Sequence, residues 1–174
     1  MPLEKEIFNA IFSLAHQSKI LDWLLIFFAQ YLAYIMVLGF LIILFRAKNW
    51  KDGFYQFALA VLSVILSRFL ITGIIRFLYF RPRPFAALDI DSLINHPIGA
   101  AFPSGHASVF FALAVAIFLI NRKWGSWYIA GAGLMGFARV AVGVHWPLDI
   151  VAGALVALLS VAVVGWVLRR PLKQ

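Results

Sequence analysis

Long apolar runs separated by short polar segments dominate the chain. Four of them approach or exceed the roughly 20 residues that an α-helix needs to cross the hydrocarbon core of a bilayer. These four runs cover residues 21–45, 54–80, 127–144 and 148–168. A fifth run, at residues 107–120, is shorter and spans a membrane only if its start lies below the surface, shielded by protein. The pattern predicts an all-α integral membrane bundle of about five transmembrane helices.

The N-terminal segment, residues 1–20, has a different pattern. Ile7, Ile11 and Leu14, with Phe8 and Ala15 beside them, recur at helical spacing among polar residues, which predicts an amphipathic helix at the membrane interface. Packing of this helix on the bundle fits the pattern equally well. Acidic residues near its start and the lack of a compact apolar core argue against a cleavable signal peptide. No repeat or linker divides the 174 residues, so we predict one domain, its bundle covering residues 21–168.

The composition is typical of a membrane protein. Hydrophobic residues make up 64% of the chain and charged residues 13%, against roughly half and a quarter in ordinary soluble domains. The mean hydropathy is +0.95. Cysteine is absent, which excludes disulfide bonds, cysteine-ligated zinc and thiol catalysis.

The formal net charge of +8 would suggest a nucleic-acid partner in a soluble protein. Here many of the basic residues flank apolar runs, as the positive-inside rule describes, and we expect no nucleic-acid partner. These flanking residues are Arg46, Lys48, Lys51, Arg122, Lys123, Arg169, Arg170 and Lys173. The segments that carry them are predicted to face the cytoplasm, so that the N-terminal segment and residues 81–104 and 143–147 face outward.

Two arginines lie at the outer end of the second run. Arg76 is near the end of the predicted helix, and Arg83 follows in a segment, residues 81–84, whose prolines stop the helix. Ionisable residues in a transmembrane segment are costly and are therefore candidates for function. Arg76 alone is equally well explained by a side chain that reaches the interface. Arg68 lies nearer mid-span, where we expect it to pair inside the bundle, and the sequence gives it no role.

A turn precedes the short run at residues 107–120. Pro103, Ser104 and Gly105 favour this turn, and a helix that starts directly after it offers free backbone N–H groups to an anion. Ser104 alone is also explained as a helix N-cap. His106 lies in the first helical turn, where a positive charge is unfavourable unless an anion is nearby.

A histidine and an aspartate lie four residues apart at the start of the last run. From this spacing Asp149 can hydrogen-bond the ring of His145 and fix its tautomer, as a carboxylate does beside a catalytic histidine. Arg139 ends the preceding run. Taken alone, the pair is equally well explained without catalysis, with His145 as a turn residue and Asp149 as a residue that starts a helix. All three segments, however, lie on the outward side, where their arginines, histidines, seryl hydroxyl and helix N-terminus form the donor set that a phosphate group requires.

These residues resemble the three-part signature of the type 2 phosphatidic acid phosphatase (PAP2) superfamily. The matching segments are Arg76-x6-Arg83-Pro84, Pro103-Ser104-Gly105-His106 and Arg139-x5-His145-x3-Asp149. Arg76 stands where the family usually has lysine, and Ala138 stands where it has serine. Within the family, the bacitracin-resistance type of undecaprenyl-diphosphatase is the most similar branch, through residues 6–11, 21–22, 82–85 and 93–104.

The resemblance implies a compact helical bundle with a phosphatase site at its outer mouth. It makes His145 the nucleophile that forms a phosphohistidine, Asp149 the residue that orients it, and His106 the general acid and then the general base. The phosphate-binding groups that it implies are Arg76, Arg83, Ser104, Gly105 and Arg139. Because no clustered carboxylates accompany the two histidines, we expect catalysis without a metal or other cofactor.

The implied reaction removes the terminal phosphate of undecaprenyl diphosphate, giving undecaprenyl phosphate, in the cytoplasmic (inner) membrane of a bacterium. Phosphatidylglycerophosphate, phosphatidic acid and lipid A 1-phosphate are the alternative substrates, because the catalytic residues contact only phosphate. The expected partners are the lipid substrate and the bilayer, with no obligate protein partner. A small anion transporter is the alternative from a different class, and it would need no pairing of histidine with aspartate.

Overall fold

The computed structural model describes residues 2–168, and every regular element within that range is a helix. The elements are α1 Pro2–Phe12, α2 Lys19–Phe45, α3 Trp50–Leu78, α4 Pro84–Leu88, α5 Gly105–Ile120, α6 Arg122–Ala141 and α7 Pro147–Val167. Helices α2 and α3 each contain a π-helical segment, Phe27–Tyr31 and Ile65–Ile71 respectively. The predicted all-α architecture is confirmed.

Helix α5 forms the centre of the bundle and packs against α3, α6 and α7. Its alanines permit this packing, because Ala112, Ala114 and Ala116 are fully buried and let the neighbouring helices approach closely. Gly153 of α7 has the same effect, since a Cβ at this position would lie 2.7 Å from the carbonyl oxygen of Ser104. The start of α5 is thereby held against α7.

Five helices correspond to the five predicted spans. Helices α2, α3 and α7 are long and apolar enough to cross a membrane, and no other helix within residues 2–168 meets both criteria. Helix α5 is apolar but has 16 residues, whereas α6 has 20 residues and is less apolar. Large apolar side chains on the outer surface are exposed, among them Phe45, Phe77 and Leu155, as a bundle surrounded by lipid requires.

The boundaries of α6 differ from the predicted run at residues 127–144. The side chain of Asn121 accepts a hydrogen bond from the Trp124 N–H, and this cap starts the helix at Arg122. At the other end Gly143 adopts a φ of +86°, which an α-helix does not accommodate, and α6 ends at Ala141. The hydrophobicity of the sequence alone indicates neither the cap at Asn121 nor the turn at Gly143.

Helix α1 packs on the bundle and contacts α6 and α7. Phe8 is fully buried, and its ring centroid lies 5.0 Å from that of Trp146. The predicted apolar face is partly correct, because Phe8 and Ala15 are buried, whereas Ile7 is 43% exposed and Glu4 is buried in its place. A salt bridge described below accounts for the burial of Glu4. The placement of the exposed face of α1 at a membrane interface stays a prediction.

Candidate active site

A polar cavity of about 210 Å³ lies where the ends of α3 and α6 meet the starts of α5 and α7. Cationic side chains dominate its lining, which within the described chain includes four arginines and three histidines. The lining residues are Arg68, Arg76, Arg83, His96, Gly105, His106, Val109, Phe110, Arg139 and His145. The three segments singled out in the sequence therefore meet at one place, while the roles of their individual residues stay predictions.

His145 and Asp149 form a buried pair behind the cavity. His145 Nδ1 lies 3.3 Å from Asp149 Oδ2, and the two residues are 1% and 0% exposed. The turn Gly143–Trp146 places His145, and the start of α7 places Asp149 one helical turn later. Asp149 Oδ2 also accepts the backbone N–H of Trp146 at 2.9 Å. With a proton on Nδ1 shared with this carboxylate, the lone pair of His145 lies on Nε2, on the side of the arginines.

The surroundings keep His145 uncharged. Burial lowers its pKa well below the ordinary value, and the positive charges of Arg139 and Arg83 lower it further. Its Nε2 atom lies 3.2 Å from Arg83 Nη1. A neutral imidazole, with its lone pair on Nε2, is the form that acts as a nucleophile.

Two buried arginines carry donors that have no acceptor among the described residues. Arg139 is 2% exposed and donates from Nη1 to the carbonyl of Ala29 at 3.2 Å, whereas its Nε and Nη2 have no partner among the described residues. Arg83 is 4% exposed and donates from Nη1 to the carbonyl of Val144, and its Nε is likewise unpartnered within residues 2–168. Buried donors of this kind are rare in folded proteins, and an anion with several oxygens satisfies them.

Arg76 uses two donors from one edge of its guanidinium group on one carbonyl. Its Nε and Nη2 donate to the carbonyl of Pro103 at 3.1 and 2.8 Å. This contact ties the end of α3 to the turn that precedes α5. The usual lysine of the family could not make this two-donor contact in the same way, because its ammonium group lacks the planar fork of donors of arginine.

The start of α5 has the geometry expected of a capped helix. Ser104 is fully buried and its Oγ accepts the N–H of Ala107 at 3.5 Å, while its own N–H donates to the carbonyl of Asp149 at 2.9 Å. The hydroxyl thus serves as the N-cap, and a contact of Ser104 with phosphate stays a prediction. Gly105 and His106 follow in the first turn and both line the cavity. The ring of His106 stacks on that of Phe110.

A salt-bridge chain extends from the aspartate to the N-terminal helix. Arg81 donates from Nη1 to Asp149 Oδ1 at 2.8 Å and from Nη2 to Glu4 Oε2 at 2.6 Å. The guanidinium group of Arg81 also lies over the indole ring of Trp146, at 5.3 Å from its centroid. Both oxygens of the Asp149 carboxylate are therefore engaged, which fixes its orientation toward His145. Glu4 and Arg81 were not among the predicted site residues. The only sequence signal for Arg81 was its position two residues before Arg83.

Two further cavity residues were not predicted. Arg68 lines the cavity and has no hydrogen bond or ion pair to another described residue, so the expected pairing inside the bundle is wrong. His96 comes from the loop between α4 and α5, and its Nδ1 lies 3.1 Å from the carbonyl of Pro97. Burial is the main cause that lowers the pKa of His96, and its hydrogen bond with Pro97 opposes this shift. A histidine in an irregular loop carries no sequence signal that connects it with the site.

The described residues form no evident metal site. Residues 2–168 contain no group of three or more histidine, aspartate or glutamate side chains placed to hold a metal ion. The donors that face the cavity are cationic or neutral nitrogens, which suit an anionic ligand. Metal-independent catalysis stays a prediction.

Comparison with known proteins gives a consistent assignment. Residues 57–172 match the PAP2 superfamily. The undecaprenyl-diphosphatase BcrC of Bacillus subtilis is 34% identical over 157 residues, which cover 88% of this chain and 78% of the relative. The bacitracin transport permease protein BcrC of Bacillus licheniformis is 33% identical, over 94% of this chain and 80% of the relative. The crystal structure of Aquifex aeolicus LpxE superposes with a TM-score of 0.76 and 25% identity, covering 93% of this chain and 94% of that one.

The family match covers most of the bundle and contains all three signature segments. The relatives include named phosphatases, and the helices of the described chain are those of a membrane protein. The substrate class that follows is a lipid carrying a phosphate group. The chain belongs to the PAP2 superfamily and is a membrane lipid phosphatase.

Proposed function

We propose that the protein removes the terminal phosphate of undecaprenyl diphosphate and releases undecaprenyl phosphate and inorganic phosphate. The observation that carries this proposal is the cavity that His145, held by Asp149, lines together with arginines whose buried donors have no partner within residues 2–168. The name of the Bacillus subtilis relative supports this substrate.

In the proposed reaction His145 Nε2 attacks the terminal phosphorus, and the bond between that phosphorus and the bridging oxygen breaks. His106 donates a proton to the departing lipid phosphate. A water molecule then attacks the phosphohistidine, giving its proton to His106, and the P–N bond breaks to release phosphate and free His145. His106 thus returns to its starting protonation state within one cycle.

The arginines supply the charge that this reaction needs. Phosphoryl transfer depends mainly on positioning and on stabilising charge spread over the equatorial oxygens. Arg83 and Arg139 bring buried N–H groups, without a partner in the range 2–168, to the cavity that His145 lines. Arg76, Ser104 and the Gly105 N–H group are proposed to complete the phosphate site. Asp149 stabilises the positive charge that the imidazole ring acquires as the P–N bond forms.

The experiment that tests this function is a substrate panel with purified protein in detergent. Release of phosphate is measured from undecaprenyl diphosphate, phosphatidylglycerophosphate, phosphatidic acid and lipid A 1-phosphate, with and without EDTA. We expect the highest kcat/KM with undecaprenyl diphosphate and unchanged turnover in EDTA. A higher kcat/KM with another lipid would refute the substrate proposal, and loss of activity in EDTA would refute metal independence. Activity of the isolated chain would also support the absence of an obligate protein partner.

We further propose that the protein lies in the cytoplasmic membrane of a bacterium with the cavity facing outward. The basic residues between α2 and α3 and those at the α5–α6 corner support this orientation through the positive-inside rule. Arg169, Arg170 and Lys173 lie outside the described residues. Because the chain has no cysteine, single cysteines report on each side without background.

Single-cysteine labelling is expected to separate the two faces of the membrane. In intact cells a membrane-impermeant maleimide should label Ile98→Cys, whose position is 82% exposed in the loop before α5. Lys123→Cys, at the exposed start of α6, should react only after the cells are permeabilised. The reverse pattern of labelling would invert the proposed topology.

Glu4 is expected to contribute to turnover although it lies outside the signature. Glu4→Gln removes the charge that holds Arg81, and a hydrogen bond between charged groups contributes about 1.5–3 kcal/mol. We expect kcat to fall by about tenfold with little change in KM, because Glu4 does not line the cavity. Glu6→Gln, an exposed position on the same helix, is the matched control and should behave as the wild type. Equal activity of the two variants would argue against this role.

A further inference from the structure

Arg68 is the cavity arginine that lies outside the three signature segments. It belongs to the π-helical segment Ile65–Ile71 of α3, about two turns before Arg76. Hydrogen bonds hold this part of α3 against α5, since Ser67 Oγ donates to the carbonyl of Ser108 and Thr72 Oγ1 lies 2.9 Å from Ser108 Oγ. The backbone that carries Arg68 is therefore fixed beside the first turns of α5. A π-helical segment within an α-helix is also frequently found at a functional site.

The side chain of Arg68 crosses the start of α5. A Cβ on Gly105 would lie 2.6 Å from Arg68 Nε and 3.2 Å from its Cζ, so the guanidinium group approaches that backbone closely only because position 105 is glycine. Its neighbouring aromatic contact is the Phe69 ring, 5.7 Å away. Arg68 has no hydrogen bond or ion pair with another residue of the described range 2–168. Its donors are thus available to a ligand in the cavity.

The cationic groups of the cavity divide between two ends. At one end Arg83 and Arg139 are the arginines that act most strongly on His145. At the other end Arg68 lies against Gly105 and contributes to the electrostatic field at His106. Arg139 and Arg83 act on His106 as well, and Arg68 differs from them by its close approach to the backbone of Gly105, the residue before His106.

This division matches the chemistry of a diphosphate. The phosphorus that His145 attacks must lie at the first end, so the bridging oxygen and the departing phosphate lie toward His106. From these positions we propose, on the basis of the proposed function, that Arg68 binds the phosphate attached to the lipid and selects diphosphate over monophosphate lipids. A lipid monophosphate has no second phosphate to occupy this end. Arg68 then stabilises the negative charge of the departing lipid phosphate while His106 protonates it.

The test compares two substrates in each variant. We expect Arg68→Gln to lower kcat/KM for undecaprenyl diphosphate by about 10- to 100-fold and to change kcat/KM for phosphatidic acid by less than about threefold. Arg68→Lys should restore part of the loss with the diphosphate. Arg46→Gln, an exposed arginine after α2, is the control and should leave both values unchanged. An equal loss on both substrates, or no loss on either, would overturn the proposal.

A binding measurement covers the case in which phosphatidic acid is not turned over. Inorganic pyrophosphate should raise the thermal unfolding temperature of the wild type more than inorganic phosphate does, and Arg68→Gln should remove this difference. An unchanged preference for pyrophosphate in the variant would refute the role of Arg68. The proposed function is tested separately, with the wild type alone: it is refuted if the wild-type protein releases no phosphate from undecaprenyl diphosphate.

Discussion

His145→Asn is expected to lower phosphate release from undecaprenyl diphosphate by about 10⁴-fold or more. Removing the nucleophile of a covalent mechanism leaves only the binding groups to assist hydrolysis. Asparagine retains a polar group near Asp149, whose Oδ2 lies 3.3 Å from His145 Nδ1, so the buried carboxylate keeps a potential partner. The measurement is phosphate release under single-turnover conditions. Turnover near the wild-type rate would refute the assignment of His145 as nucleophile.

A labelled intermediate separates the two histidines. With substrate that carries ³²P in the terminal phosphate, His106→Asn should accumulate acid-labile, base-stable label on the protein. The departing lipid phosphate is a weakly basic leaving group that needs little help from an acid, whereas hydrolysis of the phosphohistidine lacks its general base. His145→Asn should carry no label. His16→Asn is the matched control: His16 is exposed, and its φ of +63° suits asparagine. Label on the His145 variant would place the covalent bond elsewhere.

Local patterns predicted the part of the site that depends on short spacing. The pairing of His145 with Asp149 needs only one helical turn, and the N-cap at Ser104 needs only the start of a helix. Apolar run lengths located the five helices of the bundle in the same way. Each of these features is encoded within a few neighbouring residues.

Contacts between distant residues could not be predicted in this way. Arg81 and Glu4 are 77 positions apart, and their salt bridge arises only when α1 packs on α6 and α7 and brings Glu4 to the segment that follows α3. The same contact explains why an acidic residue, and not Ile7, lies on the buried face of α1. Arg68 reaches the cavity because Gly105 of another helix leaves room for it. Such neighbours follow from tertiary packing and have no periodicity along the chain.

The arginine cluster is expected to make the empty site less stable than the bundle would otherwise be. Arg139 is a buried cation with two unpartnered donor atoms and without an ion pair in the described part of the chain. A buried charge of this kind has lost its hydration without gaining a counter-ion. Its positive charge also repels those of Arg83 and Arg76 in the same cavity.

Arg139→Met should therefore separate stability from activity. Methionine has a comparable length and no charge, so we expect the thermal unfolding temperature of the ligand-free protein in detergent to rise by roughly 5 °C. Activity should fall by about 10³-fold, because an arginine that stabilises a transferring phosphoryl group contributes that much or more. Inorganic phosphate should stabilise the wild type through binding and should no longer stabilise the variant.

An arginine far from the cavity provides the control for this pair of measurements. Arg122 is exposed at the start of α6, where its guanidinium group lies 5.9 Å from the Phe118 ring centroid. Arg122→Met removes the same charge, and we expect it to preserve both the activity and the stabilisation by phosphate. A lower unfolding temperature for Arg139→Met, with stabilisation by phosphate intact, would show that Arg139 supports the fold and not the anion. A higher unfolding temperature for Arg139→Met, with stabilisation by phosphate lost, would show that the charges that bind phosphate destabilise the empty cavity. The substrate then supplies the counter-ion that the protein lacks.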